Sequence, residues 1–378
     1  NYLPKVDILT KDAMELITNK DIHIIVELVG GYTFAKDFVK AALQNKKHIV
    51  TANKALLAAY GSEIFPLAYE NGVDIGFEAS VGGGIPIIRV MKEDLAVNNI
   101  NEIYSIINGT ANYILTRMTE EGKEFSEVLK DAQKQGYAEA DPTLDISGGD
   151  AGHKLLILAS LAYGINALPE QILIEGIEGI MPDDIEFACE FGYTIKLLGI
   201  AKKQGHDIEL RVHPCMIKKD AMISKVDGVM NGISVIGDCV GESMYYGAGA
   251  GGDATASSVV SDIIAIARGE NAAMLGFERA LEDSKYIRLK SKDEIYSRYY
   301  IRLYVSDKPG VLGQVSQILG RHNISIGAFL QKETDDKDVA KMLLSTHHCY
   351  EKNVNHALNE LESLPSIVQK PYKMRLED

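Results

Sequence analysis

Apolar runs and amphipathic stretches alternate along the first eighty residues. Short apolar runs at 22–29, 47–52 and 73–80 have the length of buried strands, and the stretches between them have the helical period. This alternation predicts βαβ units on a parallel sheet and therefore an α/β fold. Because such sheets bind ligands at the carboxyl ends of their strands, we expect a site in VELVGG, TANK and EASVGGG.

The pattern changes after residue 84. Helical stretches surround a predicted strand at 100–109, and LLGIAKKQGHDIELRVH alternates as a hairpin would, which indicates a second, α+β domain over 84–242. A glycine-rich turn then leads into a helix that ends near residue 268. We assign 243–270 to the first domain together with 1–83, and we predict a linker over the weakly patterned residues 271–297.

The residues from 298 to 378 form a self-contained pattern. Two strand-like segments flank a helix with Pro309 and Gly310 at its entry, and another strand, a helix and a closing strand follow. This βαββαβ order predicts a ferredoxin-like domain.

Composition narrows the functional classes. The hydrophobic share of 46% and the charged share of 24% are those of a globular protein, and the net charge of −14 disfavours nucleic acid as a partner. The longest apolar run covers about 11 residues, short of the ~20 that cross a bilayer, so no membrane partner is expected. No secretory signal is visible, and four widely spaced cysteines suit reduced thiols, which predicts a cytoplasmic location.

A cluster of acidic residues is the most informative chemical feature. Glu139, Asp141, Asp145 and Asp150 place four carboxylates within twelve residues, and Pro142 with the following glycines predicts a loop there. The spacing does not match a calcium-binding loop. Recognition of a ligand's ammonium group fits the cluster better.

Two lysines are candidates for proton transfer. Lys154 lies four residues after Asp150 on a predicted helix, and Lys54 follows a predicted strand. Each has an ordinary alternative, since Asp150 and Lys154 can form an i,i+4 ion pair and Lys54 can be a solvated helix start. If the two lysines converged in a dry cleft, each would lower the other's pKa.

The segment GAGAGG at 247–252 matches G-x-G-x-x-G. We do not interpret it as a dinucleotide fingerprint, because MYY before it is a poor buried parallel strand and the fingerprint belongs early in a βαβ unit. Its glycines still leave room for a cofactor near the backbone.

Several blocks together resemble the homoserine dehydrogenase family. They are VELVGG, KHIVTANKALLA, FEASVGGGIPIIR, INGTANYILTRM, GYAEADPTLDISGGDAGHKLLILASLA, VHP and YGAGAGGDATASSVVSDI, in that family's order over residues 1–270. The resemblance implies a Rossmann-type nucleotide-binding domain, a catalytic and dimerisation domain, and reduction of L-aspartate 4-semialdehyde to L-homoserine with NADPH or NADH.

The resemblance also implies roles for individual residues. Lys154 corresponds to the proton donor, Lys54 to the second catalytic lysine and Asp150 to the orienting acid. The residues expected to bind the substrate are Glu139, Asp145, Gly109, Thr110 and Tyr137. The residues expected to bind the cofactor are Asn53, Lys54, Gly30, Gly249 and Gly251.

A monovalent cation, Na+ or K+, is implied for the EASVGGGI block. Its carbonyl ligands would come from Glu78, Val81, Gly83 and Ile85, although the same glycines suit a simple tight turn. The family's opening strand and G-x-G-x-x-G turn have no counterpart here, so we expect about 50 to 60 residues of the nucleotide domain to be missing. A non-catalytic amino-acid-binding module is therefore the alternative to an enzyme.

The C-terminal segment resembles an ACT domain, a module that senses small molecules. The resemblance implies feedback regulation, for which we expect threonine as effector, and assembly into a homodimer or homotetramer; a domain used only for assembly is the alternative. The expected effector contacts are Asp307, Gly310, Val311, Leu312, Asn323 and Ile324.

Overall fold

The computed structural model describes residues 9–270, 287–334 and 336–377. Its helices are α1 (Ala13–Thr18), α2 (Thr33–Gln44), α3 (Lys54–Asn71), α4 (Ile87–Arg89, continued by a π-helix at Val90–Asp94), α5 (Gly109–Glu121), α6 (Phe125–Gln135), α7 (Thr143–Ile146), α8 (Gly149–Tyr163), α9 (Pro182–Glu190), α10 (Gly252–Arg268), α11 (Val311–Arg321) and α12 (Glu351–Glu362).

The strands alternate with these helices along the chain. They are β1 (Ile24–Glu27), β2 (His48–Thr51), β3 (Ile75–Gly76), β4 (Ile100–Ile106), β5 (Leu173–Ile174), β6 (Tyr193–Gln204), β7 (Asp207–Lys218), β8 (Met230–Gly237), β9 (Gly241–Ala248), β10 (Arg288–Leu289), β11 (Tyr296–Ser306), β12 (Ile326–Glu333), β13 (Val339–Thr346), β14 (Cys349–Tyr350) and β15 (Tyr372–Glu377).

The chain divides into two compact units. The first contains residues 1–103, 152–171 and 231–287, and the second contains 104–151, 172–230 and 288–378. The predicted α/β fold is confirmed in the first unit, where β1, β2 and β3 form a parallel sheet in that order. Helix α10 covers this sheet, because Val50 of β2 packs in one buried cluster with Val259 and Ile266.

Local sequence explains how the helices of the first unit begin and end. The Asn53 side chain accepts a hydrogen bond from the Leu56 amide and so caps the start of α3. Gly72 ends the helix in the left-handed region, with φ of 66°, where an L side chain would be strained. These two residues fix the path from β2 through α3 to β3.

A long hairpin organises the second unit. Strands β6 and β7 pair antiparallel over their whole lengths, from Tyr193 opposite Lys218 to Gln204 opposite Asp207, as the sequence predicts. The short strand β5 pairs parallel with β7 and extends this sheet.

The C-terminal part has the predicted βαββαβ order, formed by β11, α11, β12, β13, α12 and β15. Its sheet has the order β12-β13-β11-β15, and the buried side chains of Tyr299, Leu303, Val315, Leu344 and Leu361 share its core. The two helices therefore cover one face of this sheet.

Strand β15 also pairs parallel with β7. Arg375 lies opposite Cys215, Leu376 opposite Met216 and Glu377 opposite Ile217. The second unit therefore contains one continuous sheet, β12-β13-β11-β15-β7-β6, that the sequence pattern does not predict.

The stretch predicted as a linker has two parts. Residues 271–286 lie outside the described residues. In the remainder, β10 pairs parallel with β7, and Arg288 donates hydrogen bonds to Asp207 at 2.8 and 2.9 Å. Residues 287–297 are thus held on the sheet edge rather than forming a simple linker.

Candidate active site

A single amide joins two carboxylates of the predicted acidic cluster. Asn108 Nδ2 donates a hydrogen bond to Asp145 Oδ1 at 2.7 Å and another to Asp150 Oδ2 at 2.9 Å. Asn108 Oδ1 accepts from the Ala111 amide at 2.8 Å, so the same side chain caps α5. Asn108 and Asp150 are both 5% exposed, and Asp145 is half-buried. The loop between α6 and α8 is thus tied to the start of α5.

The start of α5 packs closely against the backbone at Val229 and Tyr137. A side chain at Gly109 would place its Cβ 2.8 Å from the Val229 carbonyl oxygen, so only glycine fits there. Thr110 Oγ1 donates to the Tyr137 carbonyl at 2.9 Å, and the Tyr137 ring lies 4.6 Å from the Tyr113 ring. The structure therefore brings Gly109, Thr110 and Tyr137 together, with the Tyr137 ring 45% exposed.

The other acidic residues of the loop are more open to solvent. The Glu139 side chain is exposed, and its carbonyl accepts from Gln133 Nε2 at 3.2 Å. The exposed Asp141 accepts from the Thr143 hydroxyl at 2.6 Å, which lowers the pKa of Asp141. Asp141 thus fixes the turn that leads into α7.

Asp150 and Lys154 are on the same helix, α8, as predicted. Asp150 lies in its first turn, where the positive end of the helix dipole favours a carboxylate, and Lys154 follows one turn later and is half-buried. The helix fixes the spacing of an acid and a cation along one face.

A buried acid shapes the loop after β1. Glu27 is 2% exposed, and its Oε1 accepts from the Val29 amide at 2.9 Å and the Gly30 amide at 3.2 Å. Its Oε2 accepts from the Thr51 hydroxyl at 2.7 Å. Glu27 thereby joins the carboxyl ends of β1 and β2.

Asn53 extends this network to the second half of the loop. Its Nδ2 donates to the Gly31 carbonyl at 2.6 Å, while its own amide donates to Thr51 Oγ1 at 2.9 Å. Gly30 and Gly31 both have positive φ, and no atom lies within 4 Å of a Cβ built at either residue. The backbone there is open to a ligand, which fits a nicotinamide cofactor, and half-buried Lys54 follows as the first residue of α3.

The glycine turn after β3 packs against the glycines after β9. A Cβ at Gly83, whose φ is 55°, would lie 2.5 Å from the Gly249 carbonyl oxygen, and the Gly84 amide donates to the Ala248 carbonyl at 3.0 Å. A Cβ at Gly249 would overlap the Asn231 side chain. The close approach explains these glycines, whereas Gly251 has open space around it. Strand β9 contains MYY and ends at Ala248, inside GAGAGG, and it neighbours β8 rather than the β1-β2-β3 sheet.

The residues expected to hold a cation lie in this turn. Val81 and Ile85 are buried, and the Gly83 carbonyl accepts from Ser258 Oγ at 2.7 Å. Glu78 is 4% exposed, and burial raises its pKa to about 7, although its carboxylate accepts from the Ile88 and Arg89 amides at 2.8 and 2.9 Å. The Glu78 side chain thus shapes the turn.

The expected effector residues fall into two groups. The Asp307 amide donates to the Asp338 carbonyl, and Gly310, Val311 and Leu312 form the entry of α11. Asn323 and Ile324 follow the other end of that helix, whose eleven residues span about 16 Å. The two groups of expected effector residues therefore lie at opposite ends of α11.

Two residues that organise the site, Asn108 and Glu27, are absent from the predicted site residues. Asn108 carries a readable signal, since an asparagine directly before GTAN suits a helix cap. Glu27 carries none, because an acid inside an apolar run gives no indication of the loop amides that it will bind.

Two further findings concern the described residues alone. None of their helices is both long and apolar enough to cross a membrane. Within the same part of the chain, no group of three or more His, Cys, Asp or Glu side chains is arranged to hold a metal ion.

Comparison with protein families gives matches along most of the chain. The model of homoserine dehydrogenase matches residues 86–264, that of the homoserine dehydrogenase NAD binding domain matches 4–78, and that of the ACT domain matches 299–366. A homoserine dehydrogenase of Helicobacter pylori is 55% identical over 370 residues, which are 98% of this chain and 86% of that protein. The chain belongs to the homoserine dehydrogenase family.

Other homoserine dehydrogenases extend this comparison. That of Neisseria gonorrhoeae is 48% identical, with 96% of this chain and 84% of the relative covered. The crystal structure of a homoserine dehydrogenase from Thiobacillus denitrificans superposes with a TM-score of 0.92 at 43% identity, covering 98% of this chain and 85% of that one. A hyperthermophilic archaeal homoserine dehydrogenase in complex with NADPH has a TM-score of 0.61 at 32% identity, with 69% and 76% covered.

These matches confirm several predictions. The chain is a homoserine dehydrogenase, an NAD(P)-dependent oxidoreductase of amino-acid biosynthesis with an ACT domain. The alternative of a non-catalytic amino-acid-binding module is not favoured. An ACT domain in turn indicates regulation by an amino acid.

Proposed function

We propose that the chain reduces L-aspartate 4-semialdehyde to L-homoserine, with Lys154 as the proton donor. The observation that carries this proposal is the Asn108 bridge, which holds Asp145 and Asp150 together one helical turn before Lys154. Bound NADPH or NADH supplies the hydride that reduces the aldehyde. The developing alkoxide needs positive charge and a proton, and a lysine ammonium supplies both.

The carboxylates suit the other end of the substrate. Asp145 is half-buried and Glu139 is exposed, so both can receive the ammonium group of an amino acid, while Gly109, Thr110 and Tyr137 shape the adjacent surface. Asp150 is fixed by Asn108 and orients the lysine that follows it. Lys54 is the second catalytic lysine in this proposal.

Cofactor binding is assigned to the open backbone after β1. Gly30 lies in the loop that Glu27 and Asn53 hold, and Lys54 follows that network directly. Gly249 and Gly251 are further candidates, with open space only at Gly251. The proposed cofactor is NADPH or NADH. The proposal also includes a Na+ or K+ ion bound by the backbone carbonyls of Glu78, Val81, Gly83 and Ile85.

Threonine is the proposed effector, and the cytoplasm is the proposed location. Because the two groups of effector residues lie at opposite ends of α11, a homodimer or homotetramer can place one group beside the other group of a second copy. Millimolar threonine should then lower the rate of aldehyde reduction. An unchanged rate together with no heat of binding would overturn this part.

Substitution of Lys154 tests the catalytic assignment. We expect Lys154→Ala to lower kcat by about a hundredfold or more while KM changes little, because the proton is needed only in the transition state. Lys134→Ala, at an exposed lysine of α6, is the matched control and should keep the parent rate. Near-normal turnover of the Lys154 variant would remove this residue from the mechanism. Loss from Lys54→Ala of equal size would show that both lysines are needed.

A further inference from the structure

The turn at residues 226–229, which leads into β8, lies against the start of α5. A Cβ at Gly109 would be 2.8 Å from the Val229 carbonyl oxygen, 3.5 Å from the carbonyl carbon and 3.7 Å from the Cα. Gly109 and Thr110 are the residues of α5 that are proposed to bind the substrate. The position of the 226–229 turn therefore determines how much space is left around this end of the helix.

Two side chains on one face of α5 hold the turn. Asn112, which is 1% exposed, donates its amide to the Val226 carbonyl at 3.1 Å and to the Met230 carbonyl at 3.2 Å. Four residues later, on the same face, Thr116 Oγ1 accepts from the Gly228 amide at 3.0 Å. The turn is thus attached to the helix at its first residue, near its middle and at the residue that follows it.

A buried lysine of β6 provides the remaining support. Lys196 is 2% exposed, and its Nζ donates to the Val226 carbonyl at 2.6 Å and to Asp227 Oδ1 at 2.7 Å. A third hydrogen bond runs to Asn112 Oδ1 at 3.3 Å. An ammonium group has three donors, so these contacts use all of them. Lys196 therefore joins β6, the turn and α5 at one point.

The charge of Lys196 has no part in the proposed reaction. An apolar side chain of similar volume often stabilises a fold as well as a buried ion pair does, so stability alone does not account for a lysine here. Three directed hydrogen bonds, by contrast, fix the place of the groups that accept them. The contribution specific to this lysine is the geometry of the turn.

We propose that Lys196 is a positioning residue for the substrate, because it holds the 226–229 turn against Gly109 through Val226 and Asp227. The inference rests on the proposed substrate site at the start of α5, and it does not require Lys196 to touch the substrate. Asn112 and Thr116 would still hold the turn in a variant without the lysine. Its loss should therefore loosen the turn rather than unfold the chain.

Steady-state kinetics of Lys196→Met test this role. We expect KM for the aldehyde to rise about tenfold while kcat changes less than about twofold, because a contact that positions the bound substrate is lost and Lys154 on α8 is kept. General destabilisation would do the reverse, since less folded enzyme lowers the apparent kcat and leaves KM unchanged. KM for NADPH should stay at the parent value.

Lys203→Met is the matched control. Lys203 is a half-buried lysine of the same strand, about 23 Å further along it, and the variant should keep both constants.

Two substitutions of Thr116 test the same turn without removing a buried charge. Thr116→Val keeps the shape of the side chain but removes the acceptor of the Gly228 amide, so KM for the aldehyde should rise about threefold or more. Thr116→Ser keeps the hydroxyl and should restore KM close to the parent value. In the double variant with Lys196→Met, KM should rise by less than the product of the two single effects, because both act through one turn.

Hydrogen exchange tests the contact without relying on activity. Amides of residues 226–230 should exchange faster in Lys196→Met than in the parent, and at the parent rate in Lys203→Met. Unchanged exchange there would overturn the inference, and so would a parent-like KM in both Lys196→Met and Thr116→Val. A parent chain that did not reduce the aldehyde would overturn the proposed function instead, and the exchange rates would still decide whether Lys196 holds the turn.

Discussion

Asn108 shows how much one side chain can organise. Its amide nitrogen holds two carboxylates while its amide oxygen caps a helix, so both donors and one acceptor direction of the group are used within the fold. An aspartate could cap the helix equally well but would bring a third negative charge to the pair. The bridge therefore explains why an amide, rather than an acid, is suited to this position.

Replacing Asn108 should separate its two tasks. Asn108→Ser keeps an oxygen for the cap but has no amide to reach Asp145 and Asp150, so the free energy of unfolding should fall by about 1.5–3 kcal/mol through the hydrogen bonds lost to these carboxylates. The KM for the aldehyde should rise about tenfold, because a hydrogen bond to a charged group is worth roughly 1.5–3 kcal/mol. Steady-state kinetics and urea unfolding measure the two effects. A parent-like KM would show that the bridge does not position the substrate.

The protonation state of His213 makes the stability of the fold depend on pH. Arg211 Nη1 lies 2.9 Å from His213 Nε2, and because a guanidinium only donates, Nε2 accepts and Nδ1 carries the proton, which faces the Pro214 carbonyl. Burial lowers the pKa of His213 well below its ordinary value, and the positive charges of Arg375 and Arg211 lower it further. The imidazole is neutral in the folded chain at neutral pH.

The sign of the resulting pH dependence follows from proton linkage. The unfolded chain takes up a proton at this histidine near pH 6.5 and the folded chain does not, so acid favours unfolding. Between about pH 7.5 and about pH 5.5, His213→Gln should lose about 1.4 kcal/mol less of its free energy of unfolding than the parent. Urea unfolding at the two pH values measures this difference, and equal losses would mean that His213 is protonated in the fold.

At the scale of elements, two glycine turns cross closely. The turn after β3 and the turn after β9 approach each other so that Gly249 meets both Gly83 and the buried Asn231 side chain. The glycines at this crossing are required by contact, whereas Gly252 at the start of α10 has nothing near its Cβ position. Gly249 and Gly252, which belong to the same glycine-rich segment, therefore have very different surroundings.

Two alanine substitutions test this distinction. Gly249→Ala should destabilise the fold by about 1–3 kcal/mol, because the added methyl group overlaps Asn231 and the buried side chain must move. Gly252→Ala is the matched control and should be neutral or slightly stabilising, since alanine favours the helix. Thermal unfolding of both variants measures the effect, and equal midpoints would mean that Asn231 moves away at little cost.

The elements themselves were largely predictable. The periodicity of two in β6 and β7 and the alternation of apolar runs with helices in 22–80 are local signals, and the structure follows them. Partnership between distant strands leaves no such signal, which is why the pairing of β5, β10 and β15 with β7 was not predicted. The acidic loop was found from its composition, while Glu27 acts through backbone amides that no side-chain pattern reveals.

At the scale of the whole molecule, buried charge accompanies the junction of β7 and β15. Arg375 is fully buried and contacts Glu175 at 2.6 Å and Glu351 at 2.5 Å. Each carboxylate lies in a different part of the chain, so the arginine connects the ACT segment with the segment after β5. Removing it would leave the buried Glu351 with less compensation.

Arg375→Met should therefore destabilise the second unit by about 3–5 kcal/mol, as is usual when one partner of a buried pair is removed. Arg321→Met, on α11, removes the exposed partner of Glu360 on α12. It should lower the free energy of unfolding by less than about 1 kcal/mol. Chemical denaturation of the two variants measures the contrast. Similar losses would show that the buried pair contributes no more than a surface pair.

The same junction has a kinetic consequence. Arg375 and Glu175 are 200 positions apart in the chain, so the contact between them closes a very long loop. Pairings of such high contact order form slowly, because chain entropy is lost before the contact stabilises anything. During refolding, β7 should present an unpaired edge until β15 arrives, and in that interval the chain is most vulnerable to aggregation.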